Sequence, residues 1–67
     1  MSIFVLTVWN IEGGYGDDFY FSNLENAIDF INNNFNWDNP RKITSENFEG
    51  KTNQYIIKDW MVDPKRL

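Results

Sequence analysis

Ile3-Phe4-Val5-Leu6-Thr7-Val8-Trp9 is the stretch whose reading decides the fold. Successive strand side chains point to opposite faces. Phe4, Leu6 and Val8 therefore fall on one side, and Ile3, Val5 and Trp9 on the other. Tyr55-Ile56-Ile57-Lys58-Asp59-Trp60-Met61-Val62 is apolar on both sides in the same way. A sheet built on these two segments needs a cover on each face. The chain supplies one helix, so the second cover is expected to be another molecule.

The helix lies between the two segments. Leu24, Ala27, Ile28, Ile31 and Phe35 recur at helical spacing, with Phe30 at the edge of the stripe. Ser22-Asn23-Leu24-Glu25 reads as a capping box, in which the Ser22 hydroxyl and the Glu25 carboxylate each serve a backbone amide of the first turn. Asn39 before Pro40 ends the helical segment, because the residue before proline disfavours the helical backbone. Residues 11–17, with three glycines in four positions, read as a flexible hairpin loop, and Asp18-Phe19-Tyr20-Phe21 as a short strand. Residues 41–48 read either as an irregular strand or as a loop. Residues 53–62 read as the last strand and 63–67 as a frayed tail. The expected fold is α+β, a three- or four-stranded antiparallel sheet with one helix packed on one face, over Phe4, Leu6 and Val8. The last strand is expected beside the first, which makes the first central.

A chain of 67 residues makes one domain, and one this small buries only about 60% of its unfolded surface. Small domains usually add disulfides, a metal or a partner subunit. With no Cys and no His, disulfides, thiolate sites, the commonest metal ligand and the commonest general base are all missing. The expectation is a non-catalytic protein with no cofactor and no metal. Twelve aromatic residues remain to build the core, and aromatics bury the most area per residue. Self-association is the remaining support. Met1-Ser2 runs into the first strand with no basic leader, so the default location is the cytoplasm, and membrane contact is not expected.

Charge divides the chain. The net charge is -4, yet residues 1–40 hold six acids and no base, while residues 41–67 hold all six bases and four acids. Acidic surfaces repel nucleic-acid backbones and favour basic partners. Glu12, Asp17 and Asp18 around Gly13-Gly14-Tyr15-Gly16 match no cation loop, and the glycines lack the Lys and following helix of a phosphate cradle. Ten Asn and one Ala point to an AT-rich coding sequence, as in a low-GC bacterium or its phages.

Phe4-Val5-Leu6, Phe21-Ser22 with Glu25 and Ala27, and the closing Tyr55, Ile57, Trp60, Val62 and Asp63 resemble a pattern found in small uncharacterised domains of bacteria and their phages. The resemblance covers most of the chain, rests on packing and capping signals, and implies a fold but no activity. The functional expectation is a small phage-type accessory protein that binds and inhibits or modulates a bacterial host or defence protein. Glu12, Tyr15, Asp17 and Asp18 on the loop, and Trp37 and Asp38 after the helix, are the expected partner contacts. Ile3, Val5, Trp9, Ile56, Trp60 and Val62 are the expected interface of a homodimer. Two alternatives compete with this reading. One is a self-associating housekeeping domain. The other is a single-stranded nucleic-acid binder stacking bases on Trp9, Tyr55 and Trp60, a use that calls for several basic residues nearby where only Lys58 is well placed.

Overall fold

The computed structural model describes residues 2–61. The β-branched and aromatic runs form five strands: β1 (Ser2–Asn10), β2 (Tyr15–Phe21), β3 (Arg41–Thr44), β4 (Asn47–Glu49) and β5 (Asn53–Met61). A single helix, α1 (Leu24–Asn34), and a 3-10 turn at Asn36–Asp38 connect β2 to β3. The strands make one sheet in the order β2-β1-β5-β4-β3, with every neighbouring pair antiparallel. The α+β class, the single helix and the placing of the last strand beside the first agree with the sequence reading.

The sheet has one or two strands more than expected. Residues 41–48, read as one strand or a loop, hold β3 and most of β4, two strands reversing at Ser45-Glu46. Their addition shifts the middle of the sheet from β1 to β5, although β1 still has a strand on each side. The second strand starts at Tyr15, not Asp18, because Asn10 pairs with Tyr15 and Trp9 with Gly16. Four residues, Ile11–Gly14, suffice for the turn. Gly14 takes a positive φ of 68° there, which a side chain would resist. Tail residues 63–67 and Val62 lie outside the described residues.

Register assigns the faces. Leu6 lies opposite Phe19 and Ile57, and Val8 opposite Tyr55, which lies in turn opposite Phe48. These side chains meet Ala27 and Ile31 of α1 in one core, with Phe4, Phe21, Leu24, Ile28, Phe30 and Phe35 packed against it. The helical stripe read from the sequence is therefore the buried one. Phe30 anchors it, with its ring 4.8 Å from Phe19 and 5.3 Å from Phe21 between centroids. The N-cap is Asn23 and not Ser22. The Asn23 side chain accepts a 2.8 Å hydrogen bond from the Asn26 amide.

Candidate functional site

The sheet face away from α1 has no cover among the described residues. Pairing builds it row by row. Ile3 lies beside Trp60, then Val5 between Tyr20 and Lys58, then Thr7 between Asp18 and Ile56, then Trp9 between Gly16 and Gln54. The interface residues expected on this face, Ile3, Val5, Trp9, Ile56 and Trp60, do share it.

The patch is less bare than its composition implies. Val5 is 8% exposed although no element covers it, because its row neighbours Tyr20 and Lys58 stand on either side. Tyr20 and Trp60 project most, each 64% exposed. Tyr20 is the residue that sequence reasoning missed. The alternation Phe19-Tyr20-Phe21 carries the signal, since two core residues flanking a tyrosine turn it to the opposite face. Between Trp60 and Asp18 lies a shallow 300 Å³ cleft lined also by Val5, Thr7, Lys58 and Asp59. The Thr7 hydroxyl donates to Asp18 across it at 2.7 Å. Register also brings Glu49 and Arg41 to this face through the row Trp9-Gln54-Glu49-Arg41. By register the face thus sets two acids, Asp18 and Glu49, beside two bases, Lys58 and Arg41, and Asp59 adds a third acid at the wall of the cleft.

The expected acidic loop takes a different form. Glu12 alone stands in the turn, whereas Tyr15, Asp17 and Asp18 belong to β2. Asp17 lies on the helix side, opposite Val8, and Asp18 on the open side, opposite Thr7. Asp17 and Tyr15 border a 240 Å³ cleft that Phe35 and Trp37 close from the far end of α1. The Trp37 ring is exposed but positioned, because its indole N–H donates to the Asn34 carbonyl at 3.1 Å. Trp37 is thereby joined to the hairpin residues with which it was grouped.

Asp38 does not belong with them. It is 1% exposed, and its carboxylate accepts from the Thr52 amide at 2.7 Å, the Asn53 amide at 3.0 Å and the Tyr55 hydroxyl at 2.7 Å. Burial would push its pKa up. The hydrogen bonds from Tyr55, Thr52 and Asn53 outweigh that and hold it below the ordinary carboxylate value. Burial, and then the Asp38 carboxylate, push the Tyr55 hydroxyl well above the usual tyrosine range. The expected patch after the helix therefore reduces to Trp37. Its acid is an internal tie between the 3-10 turn and β5.

The remaining acids of the first forty residues are dispersed, with Glu25 and Asp29 exposed on α1. Among the described residues no three carboxylates gather as a metal site would require. No described helix is long and apolar enough to cross a membrane. Comparison with known proteins gives no matching family model, no matching curated protein and no matching solved structure.

Proposed function

We propose that the chain is a non-catalytic protein-binding module, and that a second copy of the chain covers its open sheet face. The observation that carries this is the contiguous patch of Ile3, Val5, Tyr20, Ile56 and Trp60 on the side opposite α1. Completely burying an exposed aromatic or large aliphatic side chain is worth roughly 1.5–3 kcal/mol, and in a two-fold pair each contributes twice. The gain therefore comes mainly from Tyr20 and Trp60, each 64% exposed, and hardly from the already buried Val5. That gain is of the size needed against an association cost of about 4–15 kcal/mol.

Charge supports a second copy as the cover. The chain carries -4 overall, but this face sets Lys58 and Arg41 among its acids Asp18 and Glu49, with Asp59 at the wall of the cleft, and so is close to balanced. Two copies can approach through it without the repulsion their net charge otherwise imposes. A two-fold axis along β1 lays β5 of one copy over β2 of the other, which sets Lys58 over Tyr20, one row from Asp18, in both directions.

Sedimentation velocity tests the reading. At about 50 µM the wild-type chain is expected to sediment as a dimer and Tyr20→Ser/Trp60→Ser as a folded monomer. A wild-type monomer at that concentration overturns it. Base stacking is the competing use of the same face. Tyr55, expected among the stacking residues, is fully buried on the helix side, which leaves Trp9 and Trp60 with Tyr20 beside them. Tight binding of single-stranded DNA or RNA that falls steeply with salt would displace the dimer.

A further inference from the structure

β2 is an edge strand. It pairs with β1 over seven residues without a break in register, and among the described residues no strand pairs with its other side. Native edges of this length are blunted by charged side chains, lysine above all, by inward-pointing charges, by proline or by a bulge, and β2 has no lysine, proline or bulge. It carries instead two adjacent acids at its middle, Asp17 and Asp18.

Those acids discriminate among strands that could add there. The longest antiparallel self-pairing of Tyr15–Phe21 is centred on Asp18 and sets that carboxylate against its own copy. Like charges directly opposite are destabilising. A strand bearing bases at the same positions gains where a second copy loses. Consecutive residues of an added strand face consecutive residues of β2 and alternate in side as β2 does. Matching Asp17 and Asp18 therefore takes two bases in succession.

We propose that the free edge of β2 accepts an extended segment of another protein by strand addition, and that this segment carries two consecutive basic residues opposite Asp17 and Asp18. The base on the helix side enters the 240 Å³ cleft between Tyr15, Asp17, Phe35 and Trp37. There the exposed indole of Trp37 offers its face to the cation. The base on the open side meets Asp18, whose carboxylate Thr7 already holds, next to Tyr20. Backbone pairing gives such a contact its affinity, and the two acids give it selectivity. No basic residue on β1, β2 or α1 competes for either acid, and the nearest base on the open side is Lys58 of β5, which lines the same cleft as Asp18.

The added strand pairs with the backbone edge of β2 and the dimer forms on the sheet face, although Asp18 and Tyr20 border both. The probe is a short fluorescent peptide, Ser-Thr-Val-Arg-Arg-Val-Thr-Ser, titrated into the full chain by anisotropy. Two control peptides replace the arginines by glutamates or both valines by prolines. The arginine peptide is expected to bind saturably and the glutamate peptide not at all. The proline peptide, and the arginine peptide on Asp17→Asn/Asp18→Asn, are expected to bind at least about tenfold more weakly. Amide hydrogen exchange is expected to show new protection within Tyr15–Phe21. No saturable binding below about 1 mM overturns the inference. So does equal binding of the proline peptide, unchanged affinity of the double variant, or new protection confined to another strand.

Discussion

Asp38 joins parts of the chain that are far apart in sequence. Its carboxylate fixes the amides of Thr52 and Asn53 and the hydroxyl of Tyr55, and its carbonyl accepts from the Lys51 amide at 3.1 Å. Gly50 lies so close that a Cβ there would meet the Asp38 carboxylate, so the turn into β5 needs glycine at this point. Asp38→Ala leaves two amides and a phenol without their partner, at a cost of roughly 3–5 kcal/mol in urea unfolding. The pH dependence has a definite sign. A carboxyl whose folded pKa is depressed stabilises fully above its unfolded value, near 3.9, and loses that contribution as pH falls through the folded value. The wild-type urea midpoint is expected to fall more steeply than that of Asp38→Asn as pH drops below about 4. Parallel curves would contradict the role assigned to Asp38. Nothing in the local sequence exposes that role, since a charged residue beside an exposed tryptophan reads as surface. Its partners stand 14 to 17 positions away.

Among the elements, those whose signal is periodic were the legible ones. β1 and the buried stripe of α1 follow directly from the spacing of Leu6, Val8, Ala27 and Ile31. Capping was legible only to within one residue, because Ser22 and Asn23 both suit the role and only geometry separates them. With the Asn23 side chain on the Asn26 amide, Asn23→Ala is expected to cost about 1 kcal/mol and Ser22→Ala a few tenths. Equilibrium unfolding of the two variants checks this, and the reverse order would restore the Ser22 capping box. The β3–β4 hairpin was not legible because it carries few apolar residues. Every position of β3 is exposed, and of the pair only Phe48 is buried. Its strands are set by pairing with β5 and not by a hydrophobic pattern of their own. The length of β2 was hidden for a related reason. Gly16 and Asp17 are weak strand formers, and they are extended because Trp9 and Val8 pair with them.

At the scale of the whole fold, one helix against five strands leaves the sheet covered on one side only among the described residues. The core on the covered side is complete, from Leu6 and Tyr55 to Ile31, all fully buried. On the other side Tyr20 and Trp60, and to a lesser extent Trp9, project beside the nearly closed Val5. Apolarity on both faces of β1 and β5 was the property most plainly written in the sequence. Which residues stand furthest into solvent depended on the register of β2, and so emerged only with the fold. The central claim is that this face meets its own copy. It is tested most directly by isotope-filtered nuclear Overhauser spectroscopy on a mixture of 13C-labelled and unlabelled chain. Contacts between protomers are expected from the methyls of Ile3, Val5 and Ile56 to the rings of Tyr20 and Trp60. A dimeric sample whose intermolecular contacts arise only from α1 or from the β3 edge, with none from these residues, would contradict it.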